Sequence, residues 1–149
     1  MGFIDDNLMQ GESVIHRTKI HWMIFFWPVA VAIIAGIFTN IEPSNFVTYF
    51  FVVLAIFLLL RAIVTYTTSE FGITNKRVLI KTGFIQRSSH EILLSKIEAI
   101  KVNQGVLGRM FNFGTIAVTG TGGTQDPFNN IVGPLEFRKI AQEEISKAI

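Results

Sequence analysis

Two long runs of the chain carry no charge. No Asp, Glu, Lys, Arg or His lies between His21 and Glu42, and none between Glu42 and Arg61. The first run is WMIFFWPVAVAIIAGIFTNI, residues 22–41. The second is PSNFVTYFFVVLAIFLLL, residues 43–60, and it reaches Val64 if the Arg61 side chain extends toward water. About 20 apolar residues in helical form cover a hydrocarbon core of about 30 Å. Both runs therefore predict membrane-crossing helices. The rival reading, two buried helices of a soluble protein, needs protein mass on every side of them, and a 149-residue chain has little to offer. A cleaved leader fits poorly, because the preceding segment is long and acidic and a second run follows at once. Pro28 predicts a kink in the first run, and Ala32 and Gly36, four apart, predict a face for close helix approach.

The flanks set a direction. Arg17 and Lys19 precede the first run, and Arg61, Lys76 and Arg77 follow the second. The connection, residues 39–45, contains Glu42 and no basic residue. Basic residues stay on the cytoplasmic side, which predicts a hairpin with both termini there. Trp22 and Tyr66 then fall at the same interface.

From Thr65 the pattern changes to short β-rich runs: 66–73, 77–81, 84–87, 91–94, 97–104, 115–119 and 130–133. Alternation puts Val78 and Ile80, Ile100 and Val102, and Ile116 and Val118 on inward faces, as in half-buried antiparallel strands. After Pro134 the spacing turns helical. Phe137, Ile140, Ala141, Ile145 and Ala148 form one face, with Glu143 and Lys147 placed for an i,i+4 pair on the other. The predicted organisation is an N-terminal cytoplasmic or interfacial segment (1–21), a transmembrane hairpin (22–64, helices about 22–41 and 43–64) and a cytoplasmic domain (65–149). The N-terminal segment reads equally as a surface-lying stretch or as a strand of the later sheet.

Composition narrows the chemistry. Half of the residues are hydrophobic, and mean hydropathy is +0.46. There is no cysteine, which excludes disulfides and thiolate metal sites. Residues 65–149 hold ten Lys/Arg against seven Asp/Glu, too small an excess to argue for nucleic acid. His16, His21 and His90 have no metal-ligand spacing, so neither metal nor cofactor is expected. Ser88-Ser89-His90 looks like a nucleophile beside a base, but neighbours on a strand point to opposite faces. Glu91 and Asp126 show no partner carboxylate for acid–base work. Gly120-Thr121-Gly122-Gly123-Thr124 lacks the Lys-Ser/Thr of a phosphate-binding loop and reads as a hairpin connection. The segment Gly105-Val106-Leu107-Gly108-Arg109-Met110-Phe111 reads as a short turn. Val106, Leu107, Arg109, Met110 and Phe111 form a candidate partner-binding patch, unless the C-terminal helix buries them.

Several of these motifs carry a family resemblance. Phe71-Gly72-Ile73-Thr74-Asn75-Lys76-Arg77-Val78 resembles the strand–turn–strand signature of bacterial pleckstrin-homology-like (bacterial PH) domains, roughly Y-x-[IL]-T-x-x-R-[VIL]. Gly83-Phe84-Ile85, Ile92-Leu93-Leu94-Ser95-Lys96-Ile97, the Q-x-x-x-G-R element from Gln104 to Arg109, and Phe113-Gly114-Thr115-Ile116 continue the likeness. Upstream, Gly11-Glu12 and His21-Trp22 resemble the leader of membrane-anchored, YdbS-like members. Phe71 departs from the smaller aliphatic or tyrosine of many members, and the core is expected to absorb it.

The resemblance implies an α+β fold. Its parts are a two-helix transmembrane hairpin and a PH-like, seven-stranded bent antiparallel sheet or barrel with a capping C-terminal helix. It implies a bacterial cytoplasmic (inner) membrane location, multi-pass, and a binding role rather than a reaction. The expected function is a non-enzymatic, membrane-anchored adaptor that contacts a protein partner or its own copies, with no small-molecule substrate evident. The alternative is anionic lipid headgroup binding through Lys76, Arg77, Lys81 and Arg87, in or beside the first hairpins.

Overall fold

The computed structural model describes residues 2–83, 87–123 and 125–149. In chain order its elements are α1 (Phe3–Asp6), β1 (Val14–Thr18), α2 (Phe26–Ile41), α3 (Phe46–Thr68), β2 (Glu70–Thr74), β3 (Arg77–Thr82), β4 (Ser88–Leu93), β5 (Ile97–Asn103), α4 (Val106–Phe111), β6 (Phe113–Gly120), β7 (Gln125–Val132) and α5 (Pro134–Ala148). They form two compact units, one of Trp22–Thr67 and one of Met1–His21 with Thr68–Ile149.

The helical unit is an antiparallel hairpin. Trp22–Ile41 and Phe46–Thr68 are both long and apolar enough to cross a membrane. A 3-10 turn, Trp22–Phe25, leads into α2, so Pro28 falls in the first α-helical turn. There its missing N–H has no intrahelical partner to lose, so Pro28 costs α2 no hydrogen bond. Asn45 caps α3 by accepting the Val47 N–H (3.2 Å), and the Thr48 hydroxyl donates to the Glu42 carbonyl (2.7 Å). Phe38 stacks on Phe51 (5.5 Å between centroids) and Phe25 meets Tyr66 (5.3 Å). Ala35, Ala55 and Ala62 are the buried small residues, while Gly36 stands open. The close-packed face is thus offset from the expected Ala32–Gly36 pair. α3 continues to Thr68, so residues 66–68 are helical rather than the start of a strand.

The second unit is a PH-like domain of two antiparallel sheets, β1-β2-β3-β4 and β5-β6-β7, with α5 packed against them. The sheets do not close into a barrel. A single bridge, Ile20↔Ile131, links the chain after β1 to β7, reinforced by the His21 N–H on the Asn130 carbonyl (2.6 Å). Phe71, Ile73, Val78, Ile80, Ile116, Val118, Ile131 and Phe137 are buried. Phe71 fits by meeting Phe128 edge to face (5.7 Å). In the described part, β4 begins at Ser88; the expected strand at 84–87 lies mostly outside the described residues. β7 starts at Gln125, well before the expected 130–133, and pairs with β6.

The N-terminal segment belongs to this domain. β1 pairs with β2 (Arg17↔Gly72, Thr18↔Phe71), which decides between the two readings of residues 1–21 and corrects their separation from 65–149. β1 and β2 are neighbours in the sheet, and the chain between them is the whole helical hairpin. α1 then covers the outer face of β2. Phe3 and Ile4 donate their N–H groups to the Glu70 carboxylate (3.2 and 3.4 Å), satisfying the start of that short helix. Ile4 is buried above Gly72, where a Cβ would stand 2.7 Å from its Cδ1. Arg77, Val78, Leu79 and Ile80 are all buried, and β3 does not show the expected alternation.

Candidate functional site

The four basic residues of the headgroup reading do not come together. Arg77 is 4% exposed, at the centre of a polar network. Its Nε lies 2.9 Å from Glu12 Oε1, its Nη2 3.0 Å from Glu12 Oε2, and its Nη1 2.5 Å from Glu91 Oε2. Nη2 also donates to the Asn7 carbonyl (2.7 Å). Glu12 further accepts the Met9 N–H (2.7 Å) and the Thr74 hydroxyl (2.7 Å). Burial pushes the Glu12 carboxyl up, but bonds from Arg77, Met9 and Thr74 outweigh it and hold the group below its ordinary value. The hydrogen-bonded carboxylate of Glu12 holds Arg77 above its own ordinary value, against the effect of burial. The network ties the N-terminal segment to β3 and β4, and it leaves no guanidinium face for a headgroup.

Lys76 lies at the far end of β3 from Lys81 and Arg87. Lys76 Nζ donates to the Gln10 carbonyl (2.8 Å) at the β2–β3 turn. Lys81 Nζ sits 5.1 Å from the Phe3 ring centroid, at cation–π distance. Lys81 stands opposite Glu70 in the strand register, at the other end of β3, near exposed Arg87 just before β4. Arg17, on β1, pairs with Asp5 of α1.

The partner-patch residues do come together. The expected turn is a helix, α4, and α5 does not bury it. Val106 is 78% exposed, Met110 70%, Leu107 52% and Phe111 41%, and Arg109 is exposed beside them. The Q-x-x-x-G-R element explains the arrangement. Gln104 Nε2 donates to the Phe113 carbonyl (3.1 Å) and reaches the Gly108 carbonyl (3.4 Å), bracketing the helix from below. Gly108 is buried, and a Cβ there would meet the Phe113 carbonyl at 2.5 Å. α4 therefore sits down on its glycine and turns its large apolar side chains outward. Its end is held by Asn112, whose carbonyl accepts the Gly133 N–H (3.0 Å). His21 stacks on Phe113 (5.1 Å) and bonds to the Phe111 backbone. Burial lowers the His21 pKa, and that bond only partly opposes it. This contact escaped the sequence reading, since nothing in the spacing ties residue 21 to residues 111–113.

His90 lies 5.9 Å from the Phe128 ring, while Ser88 and Ser89 are exposed. Glu91 is committed to Arg77. Thr121-Gly122-Gly123 lies in the connection between paired β6 and β7, with Gly123 N–H on the Gly120 carbonyl (3.1 Å). The side chain of Asp126 lies outside the described residues. Among the described residues, no three His, Asp or Glu side chains gather where they could hold a metal ion.

No curated protein matches the chain. A family model described as a bacterial PH domain matches residues 24–145, from the first apolar helix through β2–β7 into α5. With seven strands in two antiparallel sheets among the described residues and a packed C-terminal helix, that match over most of the chain makes this protein a member of the bacterial PH domain family.

Proposed function

We propose that the chain is a non-enzymatic, membrane-anchored interaction module. In this reading α2 and α3 span the cytoplasmic membrane, both termini are cytoplasmic, and the PH-like domain meets a protein partner or a second copy at the membrane face. Membership of the family suggests a protein-interaction or lipid-binding module. The observation that carries the reading is the position of the hairpin inside the domain, between adjacent strands β1 and β2. A domain tethered through two neighbouring strands stays at the surface its hairpin crosses. The helices themselves favour lipid as their surroundings, since Ile33, Ile37, Val53 and Phe57 are each more than half exposed. Flanking Arg17, Lys19 and Arg61 against a lone Glu42 supports the orientation. The test is the mass of full-length particles extracted in native nanodiscs. A stoichiometric second protein or second copy is expected, and a single chain per disc contradicts the adaptor role.

A second reading, contact with anionic headgroups, is favoured by one observation. Lys81 and Arg87 lie at the end of the first sheet where β2 begins, two residues after α3. Arg77 takes no part in it. Full-length protein carrying Lys81→Ala and Arg87→Ala, in discs of anionic lipid, then loses salt-sensitive surface contact of the domain. Unchanged salt sensitivity removes this reading.

A further inference from the structure

We propose that α4 is an interfacial membrane helix, its apolar side chains seated in the headgroup region of the bilayer that the hairpin spans. The proposal rests on the spanning reading above and assigns lipid, rather than protein, to the patch. Four of the six α4 residues are large and apolar, and all four are open: Val106, Leu107, Met110 and Phe111. An isolated apolar side chain on a surface needs no explanation, but four on one short helix, lifted outward by buried Gly108, do.

The occupant follows from where α4 is held. His21 is stacked on Phe113 and bonded to the Phe111 backbone. His21 is also the last residue before Trp22, where the first apolar span begins. The C-terminal end of α4 is thus in direct contact with the residue that passes the chain to the membrane. Six helical residues extend only about 9 Å, so the whole of α4 stays close to that crossing point. Charge agrees with lipid. The one charged residue of α4 is the basic Arg109, and the helix carries no acid. Arg109, exposed among the apolar side chains, can keep its guanidinium at the level of the phosphates while its stem lies with them.

The chain has no cysteine, so single labels are clean. Val106→Cys and Met110→Cys, both at exposed positions, are introduced into the full-length chain and labelled with an environment-sensitive fluorophore. The protein is placed in discs of phosphatidylethanolamine and phosphatidylglycerol, with or without lipids spin-labelled near the headgroup. Ile56→Cys in α3 reports spanning, and Ser146→Cys in α5 reports a water-facing site. Blue-shifted emission at 106 and 110, with several-fold stronger lipid-borne quenching than at 146, is the result expected. Emission like that at 146 overturns the proposal. Blue-shifted emission without lipid-borne quenching also overturns it and hands the patch to a protein or a second copy. If the probe at 56 escapes quenching by lipids spin-labelled deep in the acyl chain, the spanning reading itself fails.

Discussion

Arg77 and Glu12, 65 residues apart in the chain, form a two-bond ion pair in the interior of the domain, Nε to Oε1 at 2.9 Å and Nη2 to Oε2 at 3.0 Å. Breaking a buried pair by removing one partner leaves the other charged and unsatisfied, at a cost of about 3–5 kcal/mol. Arg77→Ala is therefore expected to lower the stability of the full-length protein by that order. Lys81→Ala, at a half-exposed position, should change it by less than about 0.5 kcal/mol. Thermal unfolding in detergent compares the two. Equal, small effects would mean that Arg77 is a surface cation after all.

The same pair gives the domain an acid limit. The folded pKa of Glu12 lies below its ordinary value of 4.5, so the unfolded chain takes up the proton first as pH falls. The contribution of Glu12 is complete above that ordinary value and is lost as pH drops through the folded one. Glu12→Gln should be less stable than the wild type at neutral pH, and the gap should narrow on acidification below about 4.5. Unfolding midpoints measured across that range check the sign. A gap that widens in acid would contradict it.

The domain should depend on its N-terminal segment. A fragment of residues 65–149 lacks β1, α1 and Glu12, leaving β2 as an open edge and Arg77 without its main partner. It should fail to give a dispersed amide NMR spectrum. Residues 2–21 joined to 68–149 through a short Gly-Ser linker should give one, because Thr18 and Phe71 are already strand partners. A well-folded 65–149 fragment would contradict the role assigned to β1.

Gly108 should be intolerant of any side chain. A Cβ at 2.5 Å from the Phe113 carbonyl forces α4 off its seat. Gly108→Ala is expected to cost about 1–3 kcal/mol, as overpacking does. Hydrogen exchange should quicken at residues 106–113 and stay unchanged in α3. Slow exchange in α4 of the variant would mean that the helix does not rest on this contact.

What the sequence made legible follows from the range of each signal. The two apolar helices were readable because absence of charge over some 20 residues is a local property that needs no knowledge of distant partners. Most strands and α5 were readable from periodicity. β1 was not decided, since its five residues, VIHRT, alternate too briefly and their partner lies across the hairpin. β3 loses its alternation because the N-terminal segment, at Asn7 and Glu12, holds Arg77 against the sheet, a contact that no local pattern records. Arg77 looked like a free cation of the first hairpin, as its counter-ions come from positions 12 and 91. The helix in α4 reads as a turn because one glycine precedes its six residues and another interrupts them, and whether α5 covers its apolar side chains is not a local property of the sequence. Glu143 and Lys147 were expected to pair, but the Lys147 ammonium is taken by Glu144, three residues back (2.6 Å).

The central claim is that the hairpin inserted between β1 and β2 crosses the membrane and holds the domain on the cytoplasmic side. Cysteine accessibility in intact cells tests it most directly. Asn40→Cys, in the last turn of α2, should react with a membrane-impermeant maleimide added outside. Ser146→Cys, exposed on α5, should react only after the cells are permeabilised. Labelling at 146 in intact cells, with 40 silent, would reverse the arrangement and contradict the account.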